Sequence, residues 1–125
     1  MTSCYNAELA IPGPVIVIGA GGHAAVVISS LLRLGADIVG ATTKNPINEG
    51  KVLGVDIIGT DDKILVKNPE DIVLANGIGA TLAGQTRRYV CAEEMRTQGY
   101  RFCSLIDPSV VCGPEVNIGD GVQIM

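Results

Sequence analysis

At 125 residues the chain is large enough for one domain with a real core, and a net charge of −4 with no Lys/Arg cluster beyond Arg87-Arg88 argues against a nucleic-acid surface. Hydrophobic residues make up 47% but aromatics only 3%, so the core must be Val, Ile, Leu and Ala, which suits a β-branched parallel sheet. No apolar run approaches the roughly 18–20 residues of a membrane span, and the start, with Glu8 and no basic residue near it, is unlike a signal peptide.

Pro14 to Ile18 is a short continuous apolar run, which predicts a strand buried on both faces. It feeds directly into Gly19-Ala20-Gly21-Gly22-His23. A helix is expected from Ala24 to Leu34, with Arg33 its only charge and Gly35 placed as its C-terminal glycine. Asp37 to Gly40 starts a second strand. Thr42 to Lys51, holding Asn45-Pro46 and Gly50, reads as a loop, and Val55 to Ile58 as a third strand. Thr60 is placed to cap a brief helix from Asp61 to Val66. Asp71 to Ala75 is a fourth strand, broken by Gly77 and Gly79. A polar-faced helix then runs from about Leu82 to Gln98 and stops at Gly99, and Arg101 to Leu105 is a fifth strand.

From Ile106 onward the pattern changes to period six. Ile106, Cys112, Ile118 and Ile124 form one apolar column, and Val110, Val116 and Val122 a second. This is the hexapeptide period of a β-helix, with Pro114, Gly119, Asp120 and Gly121 as corner residues. Such a coil needs stacked neighbours to bury its column, and about one triangular turn is present, so the chain reads as the front part of a longer protein. The open edge over Val111–Met125 is expected to be disordered or covered by self-association. The fold class that follows is α/β. A Rossmann-like parallel-sheet domain occupies residues 1–105, and the start of a hexapeptide-repeat coil occupies 106–125.

Gly19, Gly21 and Ala24 fit the G-x-G-x-x-G/A phosphate-binding fingerprint, with a strand before and a helix after. Gly19 permits the tight turn, Gly21 lets a phosphate approach the backbone, and Ala24 lets helix and strand pack closely. Exposed N–H groups at the helix start then attract the anion. The alternative is a glycine-rich turn with no ligand. His23, in the first turn, is placed to act as a neutral hydrogen-bond donor to phosphate or sugar; otherwise it is a half-buried helix-start histidine. Asn76-Gly77-Ile78-Gly79 either lines the other wall of the same crevice or is a plain loop.

A dinucleotide site wants an acidic residue at the end of the second strand, where this chain has Ala41-Thr42-Thr43-Lys44. Asp37 lies at the wrong end of that strand. NAD is therefore disfavoured, and NADP, with Lys44 meeting a 2′-phosphate, is a minor option. Arg87 and Arg88 read as solvated helix-face charges. Cys4, Cys91, Cys103 and Cys112 make no C-x-x-C pair and the chain has one histidine, which points to reduced thiols in a cytoplasmic protein and to no metal. No nucleophile–base pair is evident.

Taken together, Val-Ile-Val-Ile-Gly-Ala-Gly-Gly-His-Ala at 15–24, Ala-Asn-Gly-Ile-Gly at 75–79, Arg87-Arg88, and Gly-Tyr-Arg-Phe-Cys-Ser-Leu-Ile-Asp-Pro-Ser-Val-Val at 99–111 carry a family likeness. With Val-Asn-Ile-Gly-Asp-Gly-Val-Gln-Ile-Met at 116–125, the set resembles bacterial sugar acyltransferases related to sialic acid O-acetyltransferase and UDP-bacillosamine N-acetyltransferase. The resemblance implies a Rossmann-like domain that binds a nucleotide-linked sugar, usually UDP-based. It also implies a left-handed β-helix that trimerises, holds acetyl-CoA between subunits and carries a histidine general base.

By the same resemblance Gly19, Gly21, Gly22 and His23 contact the nucleotide or sugar, with Gly77 and Gly79 nearby; Thr42, Thr43, Lys44 and Asn76, at the ends of the neighbouring strands, complete the expected substrate-binding set. Two departures stand out: Thr42-Thr43-Lys44 replaces the usual acidic residues, and Ile106-Asp107-Pro108 replaces Ile-His-Pro. The expectation is a chain that binds sugar nucleotide, while acetyl transfer needs coils beyond Met125. A free-standing nucleotide-binding module and a small NADP-dependent reductase are the alternatives.

Overall fold

The computed structural model describes residues 2–3, 11–45, 50–79, 82–109, 111–112 and 121–124. In chain order the elements are β1 (Thr2–Ser3), β2 (Val15–Ile18), α1 (Gly22–Arg33), β3 (Ile38–Thr42), β4 (Lys51–Val52), β5 (Val55–Gly59) and α2 (Asp62–Leu65). They continue with β6 (Val73–Asn76), α3 (Leu82–Thr97), β7 (Leu105–Ile106), β8 (Val111–Cys112) and β9 (Gln123–Ile124).

Five strands form one sheet in the order β4-β5-β3-β2-β6. β5, β3, β2 and β6 run parallel, and β4 pairs antiparallel at the edge. The continuous apolar run of β2 is explained by its central place, since all four residues are fully buried. Val15 and Val17 face Ala24, Val27, Ile28 and Leu31 of α1, while Ile16 and Ile18 face Ile64 of α2 and Cys91 and Met95 of α3. Period-two alternation thus divides one strand between two apolar clusters, one on each side of the sheet.

Both long helices stop as expected, at glycines in the left-handed region: Gly35 has φ +72 and Gly99 has φ +92. Ala36 N–H donates to Leu31 O and Gly35 N–H to Leu32 O, and the same pair of bonds recurs from Tyr100 to Met95 and from Gly99 to Arg96. These are Schellman motifs, which satisfy carbonyls that a helix end leaves open.

Four local expectations are corrected. The second strand continues through Thr42, and the supposed loop yields its last residue, Lys51, to β4. β4 and β5 form a two-residue hairpin in which Leu53 (φ 49) and Gly54 (φ 83) both take positive φ, the geometry of a type I′ turn. Thr60 does not cap α2 through its side chain; its hydroxyl bonds the Asp62 carboxylate instead. The fifth strand, expected over Arg101–Leu105, shrinks to one parallel bridge between Phe102 and Leu74, and Leu105 leaves to join β7.

β7 and β9 pair in parallel, Leu105 with Gln123 and Ile106 with Ile124, an offset of 18 residues or three hexapeptides. That offset equals the length of one triangular hexapeptide coil. β8 pairs antiparallel with β1, Thr2 with Cys112 and Ser3 with Val111, and the rest of the edge expected to be open, residues 113–120, lies outside the described residues. Val110, Val116 and Ile118 of the two apolar columns, and corner residues Pro114, Gly119 and Asp120, lie outside the described residues. At the junction Asp107, only 2% exposed, accepts hydrogen bonds from Ser30 Oγ at 2.8 Å, Ser109 N at 3.0 Å and Ser109 Oγ at 2.7 Å, and pairs with Arg33. The two Ser109 bonds, then Ser30 and Arg33, hold its carboxyl below the usual range despite burial. The residue that departs from Ile-His-Pro therefore ties the coil to α1.

Candidate functional site

The site lies at the carboxyl edge of the sheet, where Thr42, Ile18 and Asn76 stand in one row across β3, β2 and β6. Immediately beyond, Gly19 takes φ +103, and a Cβ there would come 3.1 Å from the Gly77 carbonyl oxygen. Gly77 N–H donates to Ile18 O at 2.8 Å. A Cβ on Gly77 would lie 2.7 Å from Ile18 O and 2.9 Å from the Ala24 Cβ. Gly19, Gly77 and Ala24 are therefore the residues that let two glycine turns and a helix meet, which is the packing part of the fingerprint.

Gly21 and Gly22 differ. Cβ atoms at either would meet nothing within 4 Å, so the space in front of them is open. Gly21 is the N-cap of α1 and no side chain caps it; Ala25 N–H is the donor to Gly21 O at 3.0 Å. A helix leaves the N–H groups of its first turn without intrahelical partners, and here that end of a 12-residue helix adjoins the opening, an arrangement suited to anions. Gly79 forms the facing wall, where a Cβ would sit 3.7 Å from the His23 Cβ.

His23 is part of a closed side-chain network. Arg88 of α3 donates through Nη1 to Ile78 O at 2.8 Å, places the same nitrogen 3.3 Å from His23 Nε2, and donates through Nη2 to Gln123 Oε1 at 2.9 Å. Gln123 Oε1 is 3.3 Å from His23 Nε2, and Gln123 Nε2 donates to Asn76 O at 2.8 Å. Asn76 Nδ2 donates to Arg88 O at 3.2 Å and Asn76 Oδ1 accepts from Ile78 N at 3.1 Å. Partial burial lowers the Arg88 pKa, yet a guanidinium stays charged. Arg88 is thus no solvated helix-face charge. It and Gln123 are the residues that sequence reasoning missed. The available signal was Arg87-Arg88 within the family-like set; nothing in a column of repeats marks Gln123.

Of the remaining expected residues, Thr42 is fully buried, and its hydroxyl donates to Asp61 Oδ1 at 2.6 Å. Thr43 is 7% exposed, donates its backbone N–H to Gly59 O and bonds Asn45 through its side chain. Lys44 is exposed. The acidic group absent after the second strand is therefore present in space, brought to the strand end by Asp61 at the start of α2. Asp37 sits at the opposite edge, as expected, with its carbonyl accepting from Val15 N–H. An open concavity there is lined by Ile11, Pro14, Leu34 and Asp37 among others, away from the glycine turns. Burial first, then nearby Asp61 and Glu94, pushes the Cys91 thiol up to about 11, and burial pushes Cys103 to about 11, so neither is a nucleophile at neutral pH.

The chain matches the PglD N-terminal domain over residues 14–93. Among solved structures it is similar to a variant of perosamine N-acetyltransferase from Caulobacter crescentus in complex with CoA and GDP-perosamine. The identity is 32%, over 91% of this chain and 52% of that one, with a TM-score of 0.78. It is also similar to the acetyltransferase domain of PglB from Neisseria gonorrhoeae in complex with acetyl coenzyme A, at 28% identity, over 86% of this chain and 50% of that one, with a TM-score of 0.72. The chain spans about half the length of these structures. Comparison with curated proteins gave no match. Among the described residues no helix is long and apolar enough to cross a membrane. The glycine turn, the parallel sheet and the family match together show that this chain belongs to the PglD N-terminal domain family.

Proposed function

We propose that the chain is the nucleotide-sugar-binding part of an acetyl-CoA-dependent sugar acetyltransferase, and that the diphosphate of the sugar nucleotide lies against the N-terminus of α1. The observation that carries this is the open space at Gly21 and Gly22 beside uncapped helix N–H groups, walled by His23 and Gly79. Residues 1–105 form the binding domain in this reading, and 106–125 begin the left-handed β-helix.

Asp61, Thr43 and Lys44 border the nucleoside end of the crevice, where UDP and GDP differ. The other end runs toward Gln123 and the coil, which is where the sugar's reacting group must emerge. The amine is the favoured acceptor, because the solved relatives include an N-acetyltransferase with CoA and GDP-perosamine. Acetyl transfer joins that nitrogen to the thioester carbonyl carbon, releases CoA as thiol and requires a base to take the nitrogen's proton. No described residue here is assigned that step. Acetyl-CoA, a homotrimer and a histidine base belong to the proposed whole enzyme. A cytoplasmic setting accords with the free, buried Cys91 and Cys103.

Isothermal titration of the chain with UDP-, GDP- and CMP-linked sugars and with NADPH tests the reading. Saturable binding of one sugar-nucleotide class in preference to NADPH is expected. Binding of NADPH alone, or of nothing, contradicts it.

A further inference from the structure

Resting on that reading of the crevice, we propose that Arg88 is a positioning residue that fixes the His23 imidazole in the Nδ1–H form, and that Gln123 of the coil holds Arg88 in place to do so. Arg88 Nη1 carries two hydrogens. One goes to Ile78 O at 2.8 Å, and the second is directed to His23 Nε2 at 3.3 Å. A guanidinium N–H requires a lone pair as its partner, so Nε2 must be the bare nitrogen and the single proton of the neutral ring sits on Nδ1. The competing arrangement puts a proton on Nε2 for Gln123 Oε1, also at 3.3 Å. That proton would then face a cationic donor, and Gln123 Oε1 already accepts the shorter Arg88 Nη2 bond at 2.9 Å. Charge-assisted bonds are the stronger ones, so the Arg88 contacts prevail.

The Gln123 amide has no freedom to reverse. Its oxygen takes the Arg88 N–H, and its NH₂ donates to Asn76 O at 2.8 Å. Reversal would set NH₂ against the guanidinium. The consequence concerns the ligand: with Nε2 engaged by Arg88, the ring nitrogen left over is a donor, Nδ1–H, which suits an anionic diphosphate. The other tautomer would offer a lone pair, which repels it. The first hexapeptide coil thus determines which tautomer of His23 is present, through one glutamine and one arginine.

His23 is the only histidine, so its ring signals need no assignment. Imidazole ¹⁵N shifts of the 125-residue chain in alkaline buffer report the tautomer without any ligand. The expected result is a predominantly Nδ1–H ring in the parent chain. Arg88→Met and Gln123→Ala should both move it toward a mixture, and Arg88→Lys, which retains a cationic donor, should restore part of it. Affinity for UDP or GDP should fall about tenfold in Arg88→Met, the size of one lost charged hydrogen bond. A parent ring protonated on Nε2, or a tautomer unchanged in both Arg88→Met and Gln123→Ala, overturns the proposal. Amide spectra of each variant show whether it is folded, and Gln123→Ala removes no charge or backbone contact of α3. Failure of the parent chain to bind either nucleotide would instead count against the crevice reading and leaves the tautomer result standing separately.

Discussion

A Cβ at Gly77 would press on the Ile18 carbonyl oxygen and the Ala24 side chain, backbone and helix that have no room to yield, whereas one at Gly22 would meet only open space. Gly77→Ala is therefore expected to destabilise the fold by about 2 kcal/mol through overpacking, measured by urea unfolding. Gly22→Ala should leave stability unchanged or raise it by up to about 1 kcal/mol, since alanine is the better helix former, while weakening sugar-nucleotide binding. Equal destabilisation by the two, or unaltered binding in Gly22→Ala, would contradict the division of labour between packing and ligand approach. From the sequence all these glycines are one fingerprint. Which of them face a neighbour is settled by how the turn after β6 folds back onto the turn after β2, a long-range contact that spacing does not encode.

At the scale of elements, Asp107 joins α1 to the coil, and its chemistry gives the junction a pH dependence. The folded state holds this carboxyl below its ordinary value, through Ser109 first and then Ser30 and Arg33. Its contribution is therefore fully present above the unfolded value of about 3.9 and is lost as pH falls through the lower folded value. Asp107→Asn should melt earlier than the parent at pH 7, and the gap should narrow at about pH 3 and below. Parallel melting profiles across that range would refute this role, whatever their separation.

The legible elements were those with local signals. β2 and β6 showed as continuous apolar runs, and α1 and α3 ended at Gly35 and Gly99 because only a left-handed residue closes a Schellman motif. The β4–β5 hairpin escaped because Leu53-Gly54 is not one of the usual Asn-Gly or Asp-Gly pairs, and leucine rarely takes positive φ. Arg88 escaped for a different reason. Two adjacent arginines on a helix point about 100° apart, and only the placement of α3 against Ile78 and Gln123 decides which turns inward.

For the whole molecule, the sheet and the coil meet at one place: the proposed anion site lies at the carboxyl edge, and Gln123 of the coil bonds Arg88 and the Asn76 carbonyl beside it. The 18-residue offset between β7 and β9 sets where that glutamine falls, so the hexapeptide period is also what brings the coil to the crevice. Backbone amide NMR during titration with a UDP- or GDP-linked sugar tests the central claim most directly. Shifts concentrated at Gly19–Ala24, Thr43–Lys44 and Asn76–Gly79, with the Gln123 side-chain amide moving alongside, are the expected result. Shifts gathered instead around Ile11 and Leu34–Asp37 at the opposite edge, or no shifts at saturating ligand, would contradict it.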